Sequence, residues 1–333
     1  MEERIMFEFE YTRGKKMTAL FSCEELEKQM ENGRLSIQPN HMFELLIGNI
    51  INRMLFTDRF EKEEEKKFFA LKSKLDNIFD TFEPYDVLIN GWTINIPLFR
   101  RRAEALLKPQ NDLLDFLNEQ VQKRYVEKKK AIADGIHVLE GDGGDFVDAF
   151  LIQMEKDEKS GKASSFDEES LCHTLLDLWA AGQETTATTL TWAFAYLLLH
   201  DSVKARVTEE LHHVTRGSRT LSLSDKGDTP YYNAVLTEIH RCAAIFPMNL
   251  SRKAKEDTEV GGYKIPKGTS VTAQVSLVMS DDQFFKDSVR IIGNFLLRYS
   301  LTADPAHMPT MSGKSKVGIV RKATPYNIIF SRS

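Results

Sequence analysis

The chain has 333 residues, of which 42% are hydrophobic and 28% charged, and its formal net charge at pH 7 is −5. This composition is ordinary for a globular protein, and the lack of a basic excess argues against a nucleic-acid partner. Its charged first residues do not form a signal peptide, and no run reaches the roughly 20 apolar residues that a membrane-spanning helix needs. Three widely spaced cysteines without zinc-site spacing predict structural thiols in a reducing compartment: Cys23, Cys172 and Cys242.

The N-terminal third predicts helices. Two are expected between residues 23 and 60, the first beginning near Ser22 and the second covering the nearly all-apolar Phe43–Phe56. A third covers Glu61–Phe82, where a charged start precedes an apolar face that includes Phe68, Leu71 and Leu75. Strand patterns are sparse before residue 250, so we predict a mainly helical body.

The segment Trp92–Phe99, WTINIPLF, is predicted to be an apolar loop followed by Arg100, Arg101 and Arg102. It has two interpretations. Either the loop packs on the core with its arginines in water, or Trp92–Arg102 touches a membrane surface, with aromatics at headgroup level and arginines on anionic lipid. Helices are predicted to follow over Pro109–Lys130 and Asp145–Lys156.

One long helix is predicted over Leu171–His200, because its apolar residues recur at a spacing of three to four. Its middle, AGQETT at 181–186, places a glycine, an acid and two threonines in an otherwise apolar helix. Glycine costs a helix interior about 1 kcal/mol, and a threonine hydroxyl can bond back to the carbonyl four residues earlier. A buried acid is costlier still unless something uses it, so the segment predicts a functional groove.

The next predicted helix covers Asp201–Val214. Another runs from Pro230 to about Phe246, with Asp228 or Thr229 as its cap. A hairpin is expected over Glu259–Lys267, and a strand over Ser270–Val278. A helix over Ile291–Tyr299 and a closing pair of strands, 318–320 and 326–330, complete the chain. The predicted fold class is therefore mainly α with a small β region.

Several motifs occur in the order of a known family. They are AGQETT at 181–186, Glu238-x-x-Arg241 after PYYNA at 230–234, Phe246-Pro247, Arg252, and GYKIPKGT at 262–269. Together they resemble the cytochrome P-450 haem-thiolate monooxygenases, specifically the microsomal type of animals. The resemblance covers nearly the whole chain. It implies a single cytochrome P-450-like domain over 1–333.

The resemblance implies oxidation of an apolar small molecule by dioxygen, with haem as cofactor and a flavoprotein reductase as electron donor, at the cytosolic face of the endoplasmic reticulum. It places Glu184 and Thr185 in a proton relay, Ala181 and Gly182 beside the haem, and Arg252 on a haem propionate. Glu238 and Arg241 match the ion pair that braces the region behind the haem. The substrate pocket would be lined by Pro247, Met248, Leu250 and Thr324.

Two departures bear on activity. The family's cysteine loop, which supplies the thiolate ligand of the iron, is missing: residues 281–287 begin the approach to it, and 291–297 already resemble the helix beyond it. An internal deletion near 288–291 is therefore expected, with no protein ligand for the metal and impaired haem binding. The family's N-terminal anchor also has no counterpart before Met1, which makes a cytoplasmic location the alternative. We expect either an inactive, truncated monooxygenase or a non-catalytic remnant that acts as a ligand-binding or interaction protein.

Overall fold

The computed structural model describes residues 30, 34–58, 60–81, 83–133, 144–161, 164–281, 299–311 and 320–332. The helix expected from Ser22, the helix expected over 291–298 and the deletion expected near 288–291 lie outside these residues. The fold divides into two compact units, and the division falls between Ala187 and Thr188 of the central helix. The single domain over 1–333 stays a prediction.

The first unit consists of helices joined by short 3-10 turns. Its helices are α1 (Pro39–Phe56), α2 (Glu65–Asp80), α3 (Pro97–Ala133), α4 (Phe146–Ser160) and the first part of α5 (Glu168–Leu199). The apolar face predicted for α2 is confirmed for Phe68, Leu71 and Leu75, which are buried, and Ile78 is half-buried. The side chains of its other predicted members, Phe79 and Phe82, lie outside the described part of the chain. Among the described residues, no helix combines the length and apolarity needed to cross a membrane.

Two glycines allow α1 to approach its neighbours closely. Gly48 of α1 faces the Phe68 ring of α2, and a Cβ at this position would overlap the ring. Gly182 of α5 faces Ile51 of α1, where a Cβ would lie 2.8 Å from Ile51 Cδ1. Because protein interiors are close-packed, neither helix crossing has room for a further methyl group unless a neighbouring side chain shifts.

The predicted start of the helix that follows Trp92 was wrong. The helix begins at Pro97, not at Pro109, and includes all three arginines. Pro97 suits a helix start, because it has no N–H to leave unpaired. Arg102 then binds the buried Asp86 carboxylate with two hydrogen bonds of 2.9 and 2.8 Å, which joins α3 to the 3-10 helix Pro84–Leu88. Pro109 lies inside the helix.

The second unit combines the rest of α5 with α6 (Asp201–Thr215), α7 (Pro230–Ala243), the short α8 (Val275–Met279) and three small sheets. Its strands are β1 (Arg34–Ile37), β2 (Arg252–Lys253), β3 (Thr258–Val260), β4 (Tyr263–Ile265), β5 (Ser270–Val271), β6 (Tyr299–Ala303) and β7 (Ile328–Arg332). The sheets are β1-β7-β6, β2-β5 and β3-β4, and all pairs are antiparallel.

The structure corrects several strand predictions. β1 had no predicted counterpart. The predicted strand Ser270–Val278 ends after β5, and its second half forms α8. Tyr299, which was assigned to a helix, begins β6. The hairpin over 259–267 is confirmed, with Gly261 and Gly262 at positive φ in its turn. The β part of the chain is therefore small, as predicted, but differently divided.

The start of α7 has a cap that the sequence did not indicate. Pro230 is the first helical residue, as predicted, but Thr229 makes no side-chain capping bond. Instead, the Glu210 carboxylate of α6 accepts hydrogen bonds from Tyr231 N at 3.0 Å and Tyr232 N at 2.7 Å. A negative charge at this position also favours the helix dipole.

Arg321 fixes the segment before β7 to two helices of the same unit. Its guanidinium donates to the carbonyl oxygens of Cys242 and Ala243 at the end of α7, at 3.0 and 2.8 Å. It also lies 4.4 Å from the ring centre of Trp192 in α5, whose Nε1 donates to Arg321 O at 2.8 Å. One arginine thus satisfies carbonyl groups that every helix end leaves unpaired.

Candidate functional site

The AGQETT segment lies in the middle of α5, within the first unit. Trp179, Gln183, Glu184 and Ala187 are buried, whereas Ala181 is exposed and Thr185 is half-buried. Leu178 lies three residues before Ala181 and is also exposed. Because residues three to four apart share one helix face, residues 178, 181 and 185 form an open stripe. We call it the α5 stripe.

Thr185 and Gly182 have local structural roles in addition to their predicted ones. Thr185 Oγ1 donates to the Ala181 carbonyl at 2.8 Å, the back-bond that the sequence predicted. Gly182 leaves room for Ile51 Cδ1 where α5 meets α1. Packing alone therefore accounts for a glycine at position 182, and its role beside a haem stays a prediction.

Glu184 belongs to a buried ion cluster. Its Oε2 accepts a hydrogen bond from Lys72 Nζ at 2.7 Å, and each of these side chains is only 2% exposed. The same ammonium lies 2.5 Å from Asp76 Oδ1 and 3.7 Å from Glu44 Oε1, whose side chains are 31% and 20% exposed. One lysine of α2 therefore faces carboxylates from α1, α2 and α5. We call these four residues the Lys72 cluster.

The cluster keeps its lysine charged. Burial by itself lowers the pKa of Lys72, but the charges of Glu184, Glu44 and Asp76 outweigh it and raise the pKa overall. Burial also raises the pKa of Glu44. Lys72 and His41 oppose this rise, whereas Asp76 and Glu184 add to it. The cluster thus combines a lysine whose charged form is favoured with a carboxyl group that holds its proton more strongly than an ordinary glutamate.

Lys72 was not identified from the sequence, although one signal was available. It lies four residues after Phe68 and three before Leu75, so it interrupts the apolar face of α2. A charged residue on a buried face requires a partner. The partner is 112 residues away in sequence, and no local spacing rule indicates it.

Two buried polar side chains on α5 have no hydrogen-bond partner in the described part of the chain. They are Trp179, through Nε1, and Gln183, through both its amide atoms. The two residues are four apart, so they lie on one face, and that face is opposite the α5 stripe. Buried polar groups are nearly always hydrogen-bonded to protein or water, so these two side chains are exceptions among the described buried polar residues.

In the second unit, Glu238 and Arg241 form the ion pair that their spacing predicts. Arg241 Nε and Nη2 donate to the two carboxylate oxygens at 2.7 and 2.8 Å. Arg241 Nη1 also donates to the Met279 carbonyl of α8. The hydrogen bonds to Glu238 raise the pKa of Arg241 further. The pair therefore braces α7 against α8, and its role behind a haem stays a prediction.

The remaining predicted residues also lie in the second unit. Pro247, Met248 and Leu250 precede Arg252, the first residue of β2, and all but the half-buried Pro247 are exposed. Backbone bonds fix the segment: Asn249 N donates to Ala273 O at 2.8 Å, and Pro247 O accepts from Ser276 N at 3.0 Å. Thr324 is separate from it and shares a hydrogen bond of 2.8 Å with the Thr310 hydroxyl.

Haem requires a flat open surface and, in the family that the sequence resembles, a cysteine thiolate for its iron. The α5 stripe offers an uncovered surface with the small side chains of Ala181 and Thr185 beside the apolar Leu178, which would suit the ring. The described cysteines do not fit the iron: burial raises the pKa of Cys172, whose Sγ faces Asn118, and Cys242 Sγ contacts Arg241 and Glu238. Among the described residues, the α5 stripe could therefore accommodate a haem ring, but neither described cysteine is suited to bind its iron, and a haem site stays a prediction.

Two other surfaces of the first unit stand apart from α5. The segment around Trp92 exposes apolar side chains, with Trp92 90% and Leu98 75% exposed, next to the exposed Arg100 and Arg101. A groove of about 530 Å³ lies between the end of α1 and the middle of α3, and its lining includes Arg53, Glu64 and Lys123. None of the predicted site residues lines this groove.

The sequence profile of the cytochrome P-450 family matches residues 5–290. Relatives include a probable cytochrome P-450, cyp-35D1, of Caenorhabditis elegans, which is 33% identical over 289 residues, 86% of this chain and 54% of the relative. Human cytochrome P-450 2A7 is 32% identical over 76% of this chain and 49% of its own length. Human cytochrome P-450 2C8 is 32% identical over 71% of this chain and 46% of its own length. The chain thus spans about half the length of the curated relatives it matches, and it belongs to the cytochrome P-450 family.

Proposed function

We propose that this chain has the oxygen-side machinery of a cytochrome P-450 monooxygenase that oxidises an apolar small molecule. One observation supports this above the others. A buried carboxylate, Glu184, directly precedes a hydroxyl, Thr185, that borders the open α5 stripe. Burying an ionised acid is costly unless it is paired, and this acid lies next to the position where a reacting molecule would be bound.

In this proposal Glu184 and Thr185 handle protons. Lys72 holds Glu184 through a hydrogen bond of 2.7 Å, so the carboxylate can accept a proton and return it. Thr185 Oγ1 donates to the Ala181 carbonyl at 2.8 Å, and rotation of this hydroxyl would turn its proton toward the stripe. Haem, when bound, supplies oxygen activation and electron transfer. Ala181 and Gly182 would lie beside it, and Arg252 would bind a propionate group.

The substrate proposed for this site is apolar. Met248 and Leu250 present apolar side chains to solvent, 58% and 81% exposed. With Pro247 and Thr324 they would form the substrate-binding part of the second unit. The electrons would come from a flavoprotein reductase, and the enzyme would work at the cytosolic face of the endoplasmic reticulum. The exposed segment Trp92–Arg102 would contact the membrane surface there, because aromatic and arginine side chains together favour the interfacial region.

The sequence as written is proposed to be inactive as a monooxygenase. The family's cysteine loop does not occur between residues 281 and 299, and thiolate ligation drives O–O cleavage in this family. The alternative function is a non-catalytic binding or interaction protein located in the cytoplasm. The exposed apolar side chains of Trp92 and Leu98 favour a role in binding a surface.

Two forms of the protein, expressed with the reductase and a set of apolar compounds, test this proposal. The first is the chain as written, and the second carries a family cysteine loop between Ser288 and Ile291. We expect product only from the second form. In that form Glu184→Gln and Thr185→Val should each reduce product per oxygen consumed at least tenfold, since general acid–base groups contribute about 10²–10⁴-fold. Equal product yield from both variants would contradict the assigned roles.

A further inference from the structure

The groove of the first unit is formed by three helices and one loop. α1 contributes its last turns, α2 contributes Lys67, and α3 contributes one face, on which Phe116, Gln120 and Lys123 are spaced by four and three residues. The loop and the 3-10 turn between α1 and α2 complete the lining. The volume of about 530 Å³ is in the range of roughly 300–1,000 Å³ that small-molecule sites occupy. The groove is therefore large enough for a small organic molecule.

One wall of the groove is fixed before any ligand binds. Thr57 has a φ of 63°, a left-handed conformation that is strained for a β-branched residue. Its Oγ1 donates to the buried Asp145 carboxylate at 2.7 Å. Phe60 N donates to Asn49 Oδ1 at 2.7 Å, and Asn49 Nδ2 donates to Phe60 O at 3.3 Å. Backbone strain is concentrated at functional sites, and a preformed wall reduces the entropy lost on binding.

The lining combines aromatic rings with two lysines. Phe56 and Phe60 are buried, and Phe116 is half-buried. Lys67 Nζ lies 5.6 Å from the centre of the Phe116 ring, and Lys123 lies on the same face of α3 as this ring. Both lysines are exposed, and neither forms an ion pair with another described residue. An anion with an aromatic ring would therefore find both types of contact in the groove.

The charges of the groove favour an anion with a single charge. The described lining has three cations and three carboxylates: Arg53, Lys67, Lys123, Asp58, Glu61 and Glu64. A carboxylate can pair with the two lysines. A phosphate ester, with about −1.5 to −2 charge at pH 7, would be repelled more strongly by the three acids. The same acids can accept hydrogen bonds from a hydroxyl group elsewhere on the ligand.

We infer that this groove binds a small aromatic monocarboxylate. The carboxylate would pair with the ammonium groups of Lys67 and Lys123, and the ring would pack against Phe116 and the buried phenylalanines beside it. The groove contains none of the residues assigned to haem, protons or substrate. The site is therefore additional to the proposed function and independent of it.

Calorimetric titration of the chain as written with three matched compounds tests the inference. They are 4-phenylbenzoate, its neutral amide, and the monophosphate ester of 4-phenylphenol, which share one ring system and differ in charge. We expect the acid to bind at least about tenfold more tightly than the amide, because hydrogen bonds between ionised groups are the stronger ones. The phosphate ester should bind more weakly than the acid.

Variants of the lining locate the site. Lys67→Met/Lys123→Met should remove the advantage of the acid over the amide and leave the affinity for the amide unchanged. Gln120→Glu, which adds a negative charge to the groove at nearly the same side-chain size, should weaken the acid several-fold and not the amide. Gln120→Trp should fill the groove and weaken both. Lys108→Met is the matched control, since Lys108 is exposed on α3 and does not line the groove.

Three results would each overturn the inference. They are equal affinity for acid and amide in the wild type, including no binding of either, an advantage of the acid that persists in the double lysine variant, and wild-type binding by a folded Gln120→Trp. Circular dichroism checks the fold of every variant first. If Gln120→Trp does not fold, Gln120→Glu decides in its place, and an unchanged affinity for the acid then overturns the inference. The titration needs neither haem nor product, so its outcome is separate from that of the proposed function.

Discussion

Replacing Gly182 by alanine tests why a glycine occupies the centre of α5. The added Cβ would lie 2.8 Å from Ile51 Cδ1, and Ile51 is buried. Overpacking of this kind costs about 1–3 kcal/mol, whereas alanine in place of glycine favours the helix by about 1 kcal/mol. The net expectation for Gly182→Ala is a loss of up to about 2 kcal/mol in the free energy of unfolding.

Ile51→Val removes the one atom that the new methyl group would overlap. Alone, this change should cost about 0.5–1.5 kcal/mol. In its background, Gly182→Ala should change sign and stabilise the protein by about 1 kcal/mol, because only the helix preference remains. Ile47→Val is a suitable control, since Ile47 is a buried residue one turn away on α1 and is not among the atoms nearest Gly182.

Urea unfolding followed by circular dichroism gives the four free energies of this double-mutant cycle. We expect a coupling free energy of at least about 1 kcal/mol for Gly182 with Ile51, and about 0.5 kcal/mol or less for Gly182 with Ile47. Additive effects of Gly182→Ala and Ile51→Val would refute the packing explanation. The reason for the glycine would then have to lie on the open stripe.

Three further predictions concern other parts of the chain. Arg321→Ala should lower the free energy of unfolding by about 2–3 kcal/mol, since hydrogen bonds to charged groups contribute about 1.5–3 kcal/mol. Arg321→Lys should recover only part of that loss. An unchanged urea midpoint in Arg321→Ala would contradict the prediction. Hydrogen bonds from Arg219 and from Ser222 N hold the pKa of Asp225 down at about 2. A lowered carboxyl pKa stabilises the fold fully above the unfolded value of about 3.9, and this stabilisation is lost as the pH falls from there through the folded value of about 2. Hydrogen exchange in residues 219–229 should therefore accelerate between about pH 4 and pH 2. In Asp225→Asn it should already be fast at neutral pH. The fraction of protein that sediments with anionic vesicles should decrease several-fold in Trp92→Ser. It should not decrease in the control Leu250→Ser, which removes a similarly exposed apolar side chain from the other unit. Equal losses in both variants would exclude a specific membrane contact through Trp92.

The sequence predicted best where structure depends on local periodicity. α5 was expected over Leu171–His200 and occurs over Glu168–Leu199, because its apolar spacing extends over many turns. The hairpin around Gly261 and Gly262 and the i,i+3 pair of Glu238 and Arg241 are equally local, and both occur. The motif order also identified the family, because each motif is a short run of neighbouring residues.

Features that depend on distant partners were not predicted. β1 is four residues long and, among the described strands, pairs with β7 alone, almost 300 positions later. Nothing within the segment itself therefore indicates a strand. Lys72 of α2 binds Glu184 of α5, and the carboxylate of Glu210 in α6 caps the start of α7. The start of α3 was placed too late for a different reason. The apolar residues after Trp92 were interpreted as a loop, so Pro97 was not recognised as a favourable first residue of the helix.

The most direct test of the central claim is the absorption spectrum of the purified chain, supplied with haem, reduced and exposed to carbon monoxide. We propose that the chain has the oxygen side of a cytochrome P-450 site but not the thiolate ligand. We therefore expect no thiolate-type Soret band for the chain as written, and such a band when a family cysteine loop is inserted between Ser288 and Ile291. A thiolate-type band from the chain as written would contradict the claim.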